Sequence, residues 1–488
     1  MSKKDLEPTF YGATFDDFLL RPQHSIVKTR RDISLAMPLS HHINIEIPVV
    51  GANMDTVTRE KMMKALSLEG CFGFLDRNCS TEDQVERIKY IKRQHSFIIE
   101  NPNRLARSGT IGDAKEIIRS QNVSGLLIEE TPGSNILAGI LSHRDILLAG
   151  DQNERLVQEF MTPFKKLITT FPKISINQAE KLMLEHRIEK LPIVDKNRNI
   201  KGLITIKDLH LFKQKPYSTK DKKGRLMVGA TVGATNDYLD RAEALINAGA
   251  DCIMMDIAHG DSDVMAHAIR QFKNKFKNTE LVCGNVGTGS GAKFLMNLGV
   301  NAIKVGIGPG RGCRTRLEVG AGVPQLQAIR EAYLATEGKL PIIADGGVKN
   351  DKDIALAIFS GASTVMLGSM LSGTDESPGV IIDDPVAKRK MKMYRGMTSV
   401  EATLDGGRSK SDPNELLQSA QAQEGQSLSV PYVGSVTEII RRVKDHLRSA
   451  VSYAGESSLL AAHRKIAINP DKYLIKLSEA SKKESWDR

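Results

Sequence analysis

Aromatic residues make up only 5% of the 488-residue chain, with a single tryptophan, too few for a stacking platform that would hold single-stranded nucleic acid. Cysteine is also scarce. The five present (Cys71, Cys79, Cys252, Cys283 and Cys313) are odd in number and scattered, with no Cys-x-x-Cys or Cys/His pairing. That argues against a disulfide framework or a structural zinc site and for a reducing compartment. No stretch approaches 18 uncharged apolar residues, so no membrane-spanning helix is expected. The opening MSKKDLEPTF carries no hydrophobic leader region, and the expected location is the cytoplasm. Acidic residues are outnumbered: 68 Lys and Arg against 58 Asp and Glu leave a net charge of +10. That balance suits an anionic partner such as a nucleotide. The charge is spread in modest runs, however, and neither nucleic acid nor membrane is expected as a partner. What is abundant is apolar side chain, 41% of residues, beside an ordinary 26% charged. This suffices for two or three domains, or for one large barrel with an insertion.

A rhythm of short apolar runs, most of them followed by helical stretches, organises the chain. The runs are IPVVGANM (47–54), CFGFLD (71–76), LMVGATV (226–232), CIMMDIA (252–258), ELVCGNV (280–286), AIKVGIG (302–308), PIIADGG (341–347) and TVMLGSM (364–370). Each is apolar at nearly every position, as a parallel strand covered on both faces must be. Amphipathic segments such as DYLDRAEALINAGA lie between them and stop at glycine. Eight strand–helix units in one rhythm predict an α/β fold, a (β/α)8 TIM barrel, rather than an open doubly wound sheet.

The rhythm is broken once, between the second and third runs, by an internal repeat. One copy reads TIGDAKEIIRSQNVSGLLIEE and ILAGILSHRDILL, the other SINQAEKLMLEHRIEKLPIVDKNRNIKGLITIKDLHL. Each predicts helix, strand, strand, helix, and each second strand leads into a Ser/Thr-x-x-Asp: Ser142 with Asp145, and Thr205 with Asp208. Such pairs cap helices. They also resemble the tandem CBS (Bateman) module, in which the acidic residue contacts a nucleotide ribose. The expected domains are 1–92 and 215–488 for the barrel and 93–214 for the insertion. A long polar stretch, TLDGGRSKSDPNELLQSAQAQEGQ, predicts a mobile flap at about 400–430 over the barrel mouth.

In such a barrel the chemistry sits in the loops after the strands. The loop after the sixth run, GIGPGRGCRTR (306–316), is glycine-rich, and its Cys313 has Arg311, Arg314 and Arg316 as neighbours. A thiol among guanidinium groups ionises more readily, and the thiolate is the nucleophile. The turns ADGG and LGSM after the seventh and eighth runs are suited to cradling a phosphate with backbone N–H groups. Asp345 is placed to hold ribose hydroxyls.

These residues resemble the IMP dehydrogenase/GMP reductase family over nearly the whole chain. The match takes in TFDDFLLRPQHS, NMDTVT, DRNCSTEDQ, MDIAHGDSD, GNV, GIGPGRGCRTR, GVPQLQAI, ADGGV, VMLGSMLSGTDESPG and YRGMTS. The resemblance implies that Cys313 attacks C2 of a purine nucleotide while a nicotinamide stacks beside the base. It implies that Arg311, Asp345, Gly346, Gly347, Gly368, Ser369, Tyr394 and Gly396 hold ribose and phosphate, that Asn53 also contacts the substrate, that Met397 and Glu424 face the base, and that Asp256 and Asn285 face the dinucleotide. It further implies a potassium ion on the carbonyls of Gly308, Gly310 and Cys313, a purine nucleotide (ATP or GTP) at the CBS pair, and a homotetramer or octamer. The family loop usually reads GPGSxCTTR, so Arg311 and Arg314 depart from it.

The family's two activities differ in the fate of the cysteine adduct. A dehydrogenase oxidises IMP with NAD and hydrolyses the adduct, for which that branch carries an Arg-Tyr pair on its flap. Here Arg408 is followed by Ser409, and no tyrosine occurs between Tyr394 and Tyr432. A reductase releases ammonia from GMP with NADPH and needs a Thr–Glu pair, which Thr315 and Glu424 match. EGQSLSVPYVGSV and Asn53 resemble the reductase branch, whereas the CBS pair and SGTDESPG resemble dehydrogenases. The preferred expectation is GMP reductase, with IMP dehydrogenase as the alternative and a non-catalytic nucleotide sensor behind both.

Overall fold

The eight apolar runs close into a parallel barrel in the computed structural model, which describes residues 5–93, 97–121, 123–386, 388–399, 401–402, 405 and 424–484. Its strands are β1 (Val49–Gly51), β2 (Phe72–Leu75), β3 (Gly229–Val232), β4 (Cys252–Asp256), β5 (Glu280–Val286), β6 (Ala302–Val305), β7 (Ile342–Asp345) and β8 (Thr364–Leu367). Closure comes from the pairing of β8 with β1, Val365 opposite Val49 and Leu367 opposite Gly51. The strands are shorter than the apolar runs, because the last residues of each run already belong to the loops of the mouth. Nearly every strand residue is buried, which is the physical reason the runs lack alternation: one face fills the barrel and the other meets the helices.

The insertion interrupts the link between β2 and β3, yet these strands pair directly, Gly229 opposite Phe74. Lys92 stands at the end of the helix after β2. Its buried ammonium reaches Asp251 at 2.6 Å and Asp221 at 3.2 Å, tying the two ends of the interruption to the barrel wall. Among the helices around the barrel, α1 (Asp351–Phe359) follows β7 and α2 (Val436–Tyr453) follows much later. The buried face of α2 is Val436, Ile439, Ile440, Val443, Leu447 and Val451, a three–four spacing that fits a helical stripe. Its start is held by Glu376, which accepts from Val436 N at 2.8 Å and from Ser435 Oγ at 2.7 Å.

A three-stranded antiparallel ribbon follows β8: β9 (Ile382–Asp384), β10 (Arg389–Arg395) and β11 (Ser427–Pro431). Tyr394 faces Leu428 and Arg395 faces Ser427, so β10 and β11 bracket the expected flap. Most of that flap, Arg408 and Ser409 included, lies outside the described residues.

The chain divides into two units, one of residues 1–94, 217–221 and 226–488, the other of 95–216 and 222–225. In the second unit each copy of the repeat folds as helix, strand, strand, helix. The first copy has Ile111–Gln121, Gly125–Glu129, Leu137–Ser142 and His143–Ala149. The second has Ile176–Glu185, Lys190–Val194, Ile200–Thr205 and Ile206–Gln214. Leu127, Leu137 and Ile140 from one copy share an apolar cluster with Val194, Ile200 and Leu203 from the other. Among the described residues no helix is long and apolar enough to cross a membrane.

Candidate active site

The loops after the strands enclose a cavity of about 700 Å³ at the barrel mouth. Into its wall project Asn53 from the loop after β1, Asp256 from the end of β4, Arg311 and Cys313 from the loop after β6, and Asp345 at the end of β7. The backbones of Gly310, Gly346, Gly347, Gly368 and Gly396 line it too, with Ser369, Tyr394 and Met397. Thr315, Glu424, Asn285 and Gly308 stand outside that lining; the first three are bonded to residues that line it or reach them through one another.

The loop after β6 has its shape because Gly306 (φ 150°) and Gly308 (φ 86°) adopt backbone that side chains resist. A Cβ on Gly306 would collide with the carbonyl oxygen of Asp345. The turn presents Cys313, whose amide donates to Gly310 O at 3.0 Å. Cys71, Cys252 and Cys283 are buried, and burial pushes their thiols above the ordinary value. Cys313 is partly exposed at the cavity. Its polar neighbour is not an arginine. Sγ lies 3.1 Å from Thr315 Oγ1, and that hydroxyl donates to Glu424 Oε2 at 2.5 Å. Arg314 is engaged instead by Glu318 at 2.6 Å, and Arg316 donates to the Val323 carbonyl at 2.6 Å. The expected ring of guanidinium groups is thus replaced by a thiol–hydroxyl–carboxylate chain.

Glu424 reaches that position through the β10–β11 ribbon. The segment just before β11 lies along the cysteine loop: Arg314 N donates to Glu424 O at 2.6 Å, Gln426 N to Gly312 O at 3.0 Å, and Gly396 N to Gln426 O at 3.0 Å. Arg395, at the end of β10, is buried; it clamps the ribbon to the barrel through Asp55 (2.5 Å) and also holds Asp405, farther along the chain, at 2.8 Å.

A second network crosses the barrel interior. Lys304, on β6, is 4% exposed and bridges Asp256 at 3.0 Å and Asp345 at 2.8 Å. Burial alone would lower its pKa; the two carboxylates outweigh burial and raise it above the ordinary lysine value. Asn53 Nδ2 donates to Asp256 Oδ2 at 2.7 Å, and Asn285 Nδ2 to Asp345 Oδ2 at 2.9 Å. Room for this lysine depends on Gly284, where a Cβ would stand 2.6 Å from the Cβ of Lys304. Motif and spacing pass over Lys304. Its signal is a single cation within the apolar run AIKVGIG, where only a partnered charge can be buried.

At the other end, Gly346 and Gly347 have positive φ (91° and 79°). The amides of Gly346, Gly347 and Gly368 have no acceptor among the described residues, and all three residues line the cavity, so their N–H groups are available to an anion. Tyr394 is buried, its hydroxyl 3.7 Å from Met54 Sδ. Burial and the charge of Asp345 raise its pKa above the ordinary tyrosine value. The guanidinium of Arg311 has no hydrogen-bond or ion-pair partner among the described residues.

The Ser/Thr-x-x-Asp pairs lie in the second unit, where both cap helices. Asp145 Oδ2 accepts from Ser142 N and Ser142 Oγ, each at 2.7 Å, and Asp208 Oδ2 from Thr205 Oγ1 at 2.6 Å. Burial raises the Asp208 pKa. Among the described residues no three His, Cys, Asp or Glu side chains gather as a metal site.

Residues 12–487 match the model of the IMP dehydrogenase / GMP reductase domain. The inosine-5'-monophosphate dehydrogenase of Nitrosopumilus maritimus is 40% identical over 478 residues, covering 97% of each chain. That of Aquifex aeolicus is 40% identical over 450 residues, 92% of this chain and 90% of its own. Among solved structures, a cysteine-to-alanine variant of Trypanosoma brucei GMP reductase with guanosine 5'-monophosphate superposes with a TM-score of 0.88. It is 34% identical over 98% of both chains. The same reductase with guanosine 5'-triphosphate gives 0.78 at 32% identity, covering 96% of this chain and 98% of the reductase.

Proposed function

The chain belongs to the IMP dehydrogenase / GMP reductase family of purine nucleotide oxidoreductases, and we propose that within it the chain is a GMP reductase, converting GMP to IMP and ammonia with NADPH. The carrying observation is the chain from Cys313 Sγ through Thr315 Oγ1 to Glu424 Oε2. A thiol 3.1 Å from a hydroxyl that is itself bonded to a carboxylate can lose its proton along that line. The thiolate then adds to C2 of the guanine ring. As the C2–amine bond breaks, the proton held at Glu424 returns through Thr315 to the departing amine, which leaves as ammonia. When bound, the nicotinamide supplies the hydride that C2 takes as the carbon–sulfur bond breaks. The sum is GMP, NADPH and a proton giving IMP, NADP and ammonia.

The residues present fit both ligands. Asp345 gives Oδ2 to Lys304 and Asn285 and keeps Oδ1 for a ribose hydroxyl. The free amides of Gly346, Gly347 and Gly368 take the 5'-phosphate, with Arg311 and Ser369 beside them. Met397 lines the base end. Asp256 and Asn53 form a carboxylate–amide pair on the cavity wall, suited to a carboxamide, and the buried Asn285 Oδ1 still lacks a donor. These groups would hold the nicotinamide beside the base.

The second reading is IMP dehydrogenase, favoured by the names of the curated relatives. It requires a base that activates water, and the Arg-Tyr pair is missing from the sequence. It would also call on the potassium site at the carbonyls of Gly308, Gly310 and Cys313. Two cuvettes separate the readings by nicotinamide absorbance: GMP with NADPH, and IMP with NAD and potassium. Decay in the first alone is expected. Growth in the second would overturn the reductase reading. In the inserted unit, the acidic caps Asp145 and Asp208 are proposed to touch the ribose of a regulatory purine nucleotide, ATP or GTP, in the manner of a CBS pair. The GTP complex of the trypanosomal reductase is in keeping with this. A homotetramer, doubling to an octamer, is the proposed assembly.

A further inference from the structure

We propose that the substrate cavity continues past its phosphate end into a second cavity, bordered by arginines and a lysine, that takes the further phosphoryl groups of a purine nucleoside di- or triphosphate. The di- and triphosphate of the substrate's own base would then compete with it directly at the barrel mouth. This rests on the main cavity binding a purine nucleoside monophosphate.

The second cavity measures about 780 Å³ and shares Arg311, Lys349, Ser369 and Met370 with the first. The shared residues stand where the phosphate cradle ends, so a phosphate seated on the amides of Gly346, Gly347 and Gly368 borders it. Its far wall belongs to α2. The lining cations are Arg311, Lys349, Arg441 and Arg442, against the carboxylates of Glu438 and Asp445, and two further acids from outside the lining, Asp351 and Asp16, reach these cations. Three of these cations are held in place by acids. Arg441 pairs with Glu438, Arg442 with Asp351 at 2.9 Å, and Lys349 with Asp16 at 2.7 Å. His446 also leans on Asp351, at 2.6 Å. Arg311 differs from them. It sits at the junction of the two cavities, between Gly310 and Gly312, and its guanidinium has no partner among the described residues.

An unpaired guanidinium where two cavities meet has a consequence for binding. A monophosphate engages the amides and at most one side of Arg311. A diphosphate places its second phosphoryl group on the far side, where the guanidinium can take both groups at once and where Lys349 and Arg441 add further N–H donors. The added attraction is electrostatic and partly solvent-exposed, so it weakens as salt rises.

The experiment is inhibition of turnover by GDP against GMP, for the wild type, Arg441→Ala and Arg311→Ser. Arg441 lines only the second cavity. The expected result is competitive inhibition by GDP that Arg441→Ala weakens about tenfold, roughly 1.4 kcal/mol, while kcat and KM for GMP stay unchanged. Arg311→Ser should weaken GDP more than GMP. Absent or non-competitive inhibition by GDP, or inhibition equal in wild type and Arg441→Ala, overturns the proposal, because GDP then binds elsewhere or not at all. If IMP rather than GMP turns over, the reductase reading falls and the same comparison is made with IMP and IDP. If neither turns over nor binds, the reading of the main cavity falls and this proposal with it.

Discussion

Cys313, Thr315 and Glu424 form one hydrogen-bonded chain. In the proposed reaction the sulfur bonds to carbon, the hydroxyl passes a proton, and the carboxylate stores it. Replacing Cys313 with alanine should abolish turnover while nucleotide binding survives, since the cradle for the phosphate uses other residues; equilibrium binding beside an activity assay checks this. Glu424→Gln keeps the hydrogen bond from Thr315 but cannot store the proton. Its kcat should fall by about 10²–10⁴ with KM nearly constant, and an unchanged rate would remove Glu424 from proton handling. Lys304 works on the same scale by another route. Lys304→Met leaves the partly exposed carboxylates of Asp256 and Asp345 without their buried cation. It should cost about 1–3 kcal/mol of stability in denaturant unfolding, with Lys304→Arg recovering part of the loss.

Single elements carry the alignment of that chemistry. The β10–β11 ribbon delivers Glu424 to the cysteine loop, and the Arg395 clamp on Asp55 holds the ribbon down. Behind the barrel, the helix Leu459–Ile468 meets α1 through His463, whose Nδ1 donates to the carbonyl of Ile358 at 2.7 Å. Burial lowers the His463 pKa below the ordinary value. The unfolded chain therefore binds a proton first as pH falls. Stability is complete above the unfolded value of about 6.5 and declines below it, until the folded value is passed. Thermal unfolding between pH 5 and 7.5 should show this decline, and His463→Gln should flatten it. An identical slope in the variant would assign the decline to other groups.

At the scale of the whole molecule, β2 and β3 pair across the interruption, and Lys92, Asp221 and Asp251 secure its ends without help from the inserted unit. A chain in which residues 95–216 are replaced by a short Gly/Ser linker should fold and turn over its nucleotide within a few-fold of the intact chain. It should lose any response to ATP or GTP. Loss of turnover on excision, with folding intact by circular dichroism, would mean that the insertion completes the site.

Fold class was legible because burial on both faces of a strand is a local property of the residues themselves. Eight unalternating apolar runs admit few arrangements, and the repeated helix–strand–strand–helix insertion announced itself by self-similarity. The cysteine loop could likewise be read from its glycines. The sequence did not reveal what would touch the thiol. Arg314 and Arg316 are adjacent to Cys313 along the chain, yet they turn to Glu318 and Val323. The carboxylate that completes the site comes from Glu424, 109 residues beyond Thr315. Lys304 likewise meets Asp345 only when β6 and β7 lie side by side. Periodicity and composition report what each segment buries. Which distant side chains share a hydrogen bond depends on how the loops at the barrel mouth are brought together, and only closure of the barrel and pairing of the ribbon decide that.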